Sequence, residues 1–352
     1  MNLFQKYLVD EFVEDYQENR LTRREALKLI GSVVGSAAVA SSILAACAPL
    51  NPEEATLAPA VRTPSAAAVS AATQAPSQTA ALATETASAR GTAETTATRG
   101  PANTLPGDLA VPAGAPHGTV TANDPAILAS AVNIPGVDAE LMGYLARPAS
   151  GEPAPVILVC HENRGLTAHI QDVARRLAKA GYVALAVDLL SRHGGSAAMD
   201  SSDVPGVLGN IEPDTFVRDF TDGWRWLADQ PFALPERVGM VGFCFGGGVT
   251  WRVATQMPEL KAAAPFYGPH PDLNAVPKIQ AAVQAVYGAL DTRINAGIPE
   301  IEEAMQQNGK IYKKLVYPDA DHAFFNDTGT RYNPAAAEDA WKQTLNWFGD
   351  YV

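Results

Sequence analysis

The sequence predicts an α/β domain of three layers around a mostly parallel sheet. Short apolar runs of strand length recur between Val137 and Tyr317, and segments of helical period lie between them. Four aromatic residues (Phe4, Tyr7, Phe12, Tyr16) open the chain, none occurs from Gln17 to Gly143, and the others follow from Tyr144 onward. Aromatic side chains dominate core burial, so the folded body is expected toward the C-terminus.

Taken in order, Val137 to Arg147 reads as a strand. Ala154 to Cys160 is an apolar run of the length and character of a buried parallel strand. Thr167 to Ala180 follows as an amphipathic helix with Ile170, Val173, Leu177 and Ala178 on one face. Tyr182 to Val187 is the next buried strand, Pro213 to Asp229 a helix, and Val238 to Val241 again a strand. Further strands are expected at Ala262 to Phe266, Gln284 to Tyr287 and Lys313 to Tyr317, and a closing helix at Pro334 to Tyr351. In such a sheet the chemistry lies beyond the carboxyl ends of the strands.

Composition removes several function classes. The 352 residues carry a net charge of −12, which argues against a nucleic-acid partner, since phosphate binding needs a basic face. Three cysteines (Cys47, Cys160, Cys244) cannot form a disulfide framework, and none is paired at zinc-finger spacing. His161, His169, His193 and His270 form no recognisable metal set, so neither a metal nor another cofactor is expected. Trp224 and Trp226 read as helix packing, and Cys160 as core.

The N-terminal region reads as an address. Thr22 to Lys28, with Arg23 and Arg24, resembles a twin-arginine export motif, with Ala26 where a large apolar residue is more usual. The apolar run from Leu29 to Ala46 ends in Leu44-Ala45-Ala46-Cys47, which resembles a bacterial lipobox with Cys47 as the lipidation site. A run of that length could also just span a bilayer as an uncleaved anchor. Residues 1–47 are thus expected to be a lipoprotein signal handled by export machinery. The mature protein is placed on the extracytoplasmic face of the bacterial cytoplasmic membrane, with Cys47 as its lipid anchor. Before the arginines, Asp10, Glu11, Glu14, Asp15 and Glu18 are unusual for a signal, and Leu3, Phe4, Tyr7, Leu8, Phe12 and Tyr16 recur at helical spacing. Residues 48–116, rich in Ala, Thr, Ser and Pro, are expected to be a disordered tether, and residues 117–352 the catalytic domain.

Three strand ends carry the chemistry. Gly242-Phe243-Cys244-Phe245-Gly246-Gly247 follows a strand and opens a helix, the pattern of a nucleophile elbow with cysteine in place of serine. The tight turn lifts Cys244 to a helix N-terminus, where the dipole favours a thiolate and the N–H of Phe245 can face an oxyanion. Asp291 and His322 each follow a later strand, in the order nucleophile, acid, histidine. His322 is the expected base, with Asp291 orienting its ring.

These motifs resemble the dienelactone hydrolase (carboxymethylenebutenolidase) family of the α/β-hydrolase superfamily, across most of residues 130–350. The resemblance implies an ester or lactone hydrolase with a small-molecule substrate, no cofactor, and a Cys244–His322–Asp291 triad. It assigns Glu162, in His161-Glu162-Asn163-Arg164-Gly165, to activation of the thiol when substrate arrives, and the Asn163 N–H to the oxyanion hole. It assigns Arg192 to a substrate carboxylate. The family's second arginine, four residues after the histidine, is Asn326 here, and Arg331 is near enough along the chain to take its place. Tyr267, at a strand end, is a candidate pocket residue. A non-catalytic binding lipoprotein and a peptidase of the same fold are the competing readings.

Overall fold

In the computed structural model, which describes residues 1–47 and 119–352, the apolar runs become strands of one eight-stranded sheet. The N-terminal helices are α1 (Leu3–Gln17), α2 (Arg23–Val34) and α3 (Ala37–Ala46). The body then runs β1 (Ile127–Pro135), β2 (Glu140–Pro148), β3 (Ala154–Cys160), α4 (Ala168–Lys179), β4 (Val183–Val187), α5 (Val204–Asn210) and α6 (Pro213–Ala228). It continues β5 (Ala233–Phe243), α7 (Phe245–Gln256), β6 (Ala262–Phe266), β7 (Ala282–Gly288), α8 (Thr292–Asn295), α9 (Ile298–Gln307), β8 (Tyr312–Tyr317) and α10 (Pro334–Tyr351). The tether expected over 48–116 lies outside the described residues.

The strand order is β1-β2-β4-β3-β5-β6-β7-β8, with β1 and β2 antiparallel at one edge and the rest parallel. Every residue of β4, β6 and β7 is buried, which requires cover on both faces of the sheet and accounts for the unbroken apolar sequences of β4 and β6; in β7 only Gln284 is polar. Ile170, Val173, Leu177 and Ala178 of α4 are all buried, as their spacing predicts. The strand expected at Val137 to Arg147 begins later, at Glu140, after a turn closed by the Gly136 N–H donating to the Ala139 carbonyl. Its partner β1 has mostly exposed or half-buried side chains and leaves little apolar signal in the sequence.

The folded body is larger than the distribution of aromatics implies. Residues 1–46 belong to the same compact unit as the α/β domain, because the four early aromatics supply core of their own. Phe4 is fully buried, 5.4 Å from the ring of Phe216 in α6 and 4.8 Å from that of Phe245 in α7. Asn2 and Gln5 form a capping box on α1, and Thr22 and Glu25 another on α2. Gly35, with φ 71°, ends α2, so the apolar run 29–46 is broken into two short helices. Among the described residues no helix is long and apolar enough to cross a membrane.

Backbone crowding fixes the elbow. A Cβ on Gly246 would lie 2.4 Å from the carbonyl oxygen of His161 and 2.7 Å from that of Cys160. Neither atom can move without disturbing β3, so Gly246→Ala is expected to cost about 3 kcal/mol, and to lower Tm by roughly 6–12 °C. Gly31→Ala in α2, where the added Cβ would meet only Ala40 at 3.9 Å, should leave Tm unchanged or raise it.

Candidate active site

Each candidate residue emerges from the carboxyl end of a parallel strand or the loop that follows it. Cys244 follows β5 and is the N-cap of α7, with φ 59° and ψ −120°. A cysteine at positive φ is costly, and here it is held by its N–H donating to the Phe266 carbonyl (3.0 Å) while its own carbonyl accepts from Gly247 (2.9 Å). The sulfur is thereby placed at the amino end of α7, where the first N–H groups, including that of Phe245, have no intrahelical acceptor.

Asp291 follows β7 and caps α8, its Oδ1 accepting from the Ile294 N–H at 3.1 Å. Its Oδ2 lies 2.6 Å from Nδ1 of His322, which follows β8. His322 Nε2 and Cys244 Sγ lie within 4.8 Å of one another, so one ring nitrogen faces the carboxylate and the other the sulfur side. Burial works to lower the His322 pKa, but the charge and hydrogen bond of Asp291 outweigh it and hold the imidazole well above its ordinary value. Burial works to raise Asp291, and the histidine reverses that too, leaving it lowered. For Cys244, burial and then the Glu11 carboxylate push the thiol up, against the opposing pull of His322.

The loop after β3 carries Glu162 and Asn163, both buried. His161 anchors it: Nδ1 bonds the Glu162 carbonyl at 2.7 Å, and Nε2 accepts from the Leu189 N–H at 3.2 Å. Burial lowers its pKa, in keeping with a neutral structural ring. Glu162 Oε2 accepts from Asn326 Nδ2 at 2.6 Å, while Oε1 has no hydrogen-bond partner among the described residues. Asn326 therefore holds the glutamate. Tyr267 follows β6, fully buried, with its ring 5.1 Å from that of His322.

Arg192 is placed differently from the resemblance. Its Nη1 donates to both oxygens of the buried Asp219 (2.8 and 2.7 Å), and its Nη2 to Asp138 at 2.5 Å. Two carboxylates already match its charge, so a substrate carboxylate is not its partner in this arrangement. Arg331 does come to the site: its Nη1 is 3.5 Å from Asp15 of α1, and it lies in the field of Glu11 and Cys244. Arg293, which sequence reasoning did not single out, sits two residues after Asp291 and donates through Nε to Glu14 at 2.9 Å.

A network behind the site fixes the loop that carries His322. Asp327 bonds His169 Nδ1 of α4 at 2.9 Å and pairs with Arg176, which also bonds Asp172 at 2.7 Å. Burial works to raise the Asp327 carboxyl, and its hydrogen bond to His169 and the charge of Arg176 instead bring it down to about 2. A depressed carboxylate stabilises the fold fully above the unfolded value of about 4 and ceases to do so as pH falls through about 2. Acid melts over that range should therefore lose less Tm in Asp327→Asn, which lacks this titration, than in the parent.

The most unexpected neighbours come from α1. The Tyr7 hydroxyl is 3.1 Å from Cys244 Sγ and 3.4 Å from His322 Nε2, and the Glu11 carboxylate is 3.8 Å from the same sulfur. Glu11, Cys244 and His322 offer three potential metal-ligand atoms within 4.8 Å of one another, but the Tyr7 hydroxyl stands against both the sulfur and the ring nitrogen. Helical spacing pointed to an amphipathic α1. Nothing in the sequence pointed to the face of the domain it covers.

A strand–nucleophile–helix elbow with an aspartate and then a histidine beyond two later strands follows the chain order of α/β-hydrolase sites. The family model for the dienelactone hydrolase family matches residues 141–352. The chain belongs to the dienelactone hydrolase family. It is 34% identical over 256 residues, 69% of this chain and 88% of the relative, to a Methylorubrum extorquens protein named "Putative carboxymethylenebutenolidase". A Synechocystis protein of the same name is 36% identical over 241 residues, 62% of this chain and 94% of the relative. Among solved structures, a Klebsiella pneumoniae protein titled "Putative Dienelactone Hydrolase" superposes with a TM-score of 0.61 at 30% identity, over 64% of this chain and all of the other. This dienelactone hydrolase family member is an α/β hydrolase with the family's sheet, to which residues 1–47 and 48–118 are additions outside the matched region.

Proposed function

We propose that the protein hydrolyses an ester or lactone through a Cys244–His322–Asp291 triad, and that it is exported as a lipoprotein. The observation that carries the reading is the His322–Asp291 pair, 2.6 Å apart, beside a cysteine raised on a strained turn at a helix N-terminus. The Cys244 thiol gives its proton to His322, and the resulting thiolate attacks the carbonyl carbon. The N–H groups of Phe245 and Asn163 receive the oxyanion. His322 then protonates the leaving oxygen, and afterwards takes a proton from the water that releases the acid. Asp291 stabilises the imidazolium formed at each stage. Glu162, held by Asn326, is placed to adjust the charge beside the thiol as substrate arrives. Tyr267 packs behind the histidine ring, and Arg331 is a candidate cation for a substrate's carboxylate.

Export rests on the motifs. Arg23 and Arg24 open α2 and are exposed, and Cys47 follows directly on α3. Lipidation at Cys47 would tether the α/β domain to the outer face of the cytoplasmic membrane.

Hydrolysis of p-nitrophenyl acetate should fall in step with iodoacetamide labelling of Cys244, followed by peptide mass. Hydrolysis that survives complete labelling of Cys244 overturns the triad.

A further inference from the structure

In this structure α1 stands where the reaction would take place. Tyr7 contacts both the nucleophile and the base, and the Asn163 side chain donates to Glu11 Oε1 at 3.0 Å. Glu14 holds Arg293, whose guanidinium also lies 4.8 Å over the Tyr7 ring, and Asp15 faces Arg331. Cys244, His322 and Asp291 are 3, 1 and 1% exposed as a result of their depth and this cover, and Tyr7 and Glu11 are themselves buried. A substrate carbonyl needs the same approach to Sγ, which the Tyr7 hydroxyl and Glu11 carboxylate occupy, so substrate and α1 exclude one another.

The fit of α1 is built from both sides. Phe4 lies in the angle between Phe216 and Phe245, and a Cβ on Gly248 would sit 3.2 Å from its ring. Gly209 of α5 leaves room for Leu8, and Gly206 for Ser32 of α2. Asn210 donates to the carbonyls of Ser32 and Val33, fastening α2 to the body. Of the acidic residues that are foreign to a signal segment, Glu14 and Asp15 are the two that meet the site's arginines.

We propose that residues 1–46 are a built-in cover that holds the hydrolase latent: α1 occupies the substrate site, and separation of these helices from the body frees Cys244, Arg293 and Arg331 for an anionic substrate. The inference rests on the hydrolase reading of the same site. Separation needs only dissociation of α1 once the chain is cut. Hydrolysis of one peptide bond by a peptidase, with water as co-reactant, achieves this anywhere between Cys47 and Thr119. Maturation at the lipobox, between Ala46 and Cys47, would remove all three helices and anchor the body in one event. Before that event the thiol is shielded and the twin arginines are still exposed.

The test uses the full chain with a specific protease recognition sequence placed among residues 48–118. Iodoacetamide labelling of Cys244 and turnover of p-nitrophenyl acetate are measured before cutting, and after cutting and removal of the N-terminal piece at high salt. Both rates should rise at least about 10-fold, the factor expected if the covered state is populated ten to one. A synthetic peptide of residues 1–20 should reverse the rise, and a scrambled one should not. Equal labelling before and after removal overturns the cover. Faster labelling with no ester turnover keeps the cover and overturns the hydrolase reading. Full-length Glu14→Gln/Asp15→Asn provides a second arm in case the trimmed body unfolds. Loss of the pairings with Arg293 and Arg331 should accelerate Cys244 labelling, and an unchanged rate would also count against the proposal.

Discussion

On the proposed mechanism Cys244→Ala is expected to abolish ester hydrolysis, with kcat/KM falling by at least about 10⁴-fold, while the protein should melt within about 2 °C of the parent. In that mechanism the sulfur at the elbow is the atom that forms the acyl intermediate. The fold does not depend on it. The turn is held by main-chain bonds to Phe266 and Gly247 and by the close backbone approach at Gly246, all of which survive the substitution. Cys244→Ser should be nearly as inactive, because a hydroxyl ionises far less readily than a thiol at this buried position. Activity measurements on protein trimmed of residues 1–46, beside a thermal melt of each variant, separate chemistry from folding. A Cys244→Ala variant with a tenth or more of parental activity would remove the cysteine from the mechanism.

Asp291→Asn is expected to lower kcat by about 10⁴-fold with little change in KM, as for a triad that loses the group fixing its histidine tautomer. The amide keeps the Oδ1 that caps α8 through Ile294, so the local backbone should persist. What is lost is the negative charge 2.6 Å from His322 Nδ1. That charge holds the imidazole pKa up against burial, which alone would lower it. Removing it should therefore move the histidine limb of the pH–rate profile to lower pH. A profile that keeps its position, or a loss confined to KM, would mean that Asp291 only shapes the loop.

The parallel strands were legible because strands buried on both faces are unbroken apolar runs, as β3, β4 and β6 are. Cys244 was legible because it follows such a run and the elbow's glycines leave a local signature; Asp291 and His322 were legible from their order, each in the loop after a later strand. The edge strand β1, with half its residues turned to solvent, has no comparable pattern. The position of Arg192 was set by acids distant in sequence: Asp219 lies in α6 and Asp138 in the turn before β2. The cover by α1 was hidden for the same reason on a larger scale. Its helical period and its acidity were plain. Their partners Arg293 and Arg331 lie 279 and 316 residues away, and only the completed sheet brings the loops after β7 and β8 under Glu14 and Asp15.

The most direct test of the cysteine mechanism is a rapid-mixing experiment with the trimmed protein and p-nitrophenyl acetate, quenched in acid and digested. The account predicts that one acetyl group appears on the peptide containing Cys244, forms no slower than turnover, and decays when substrate is exhausted. Turnover with no acetyl group on Cys244 at any time, or acetyl carried by another side chain at the turnover rate, would contradict it.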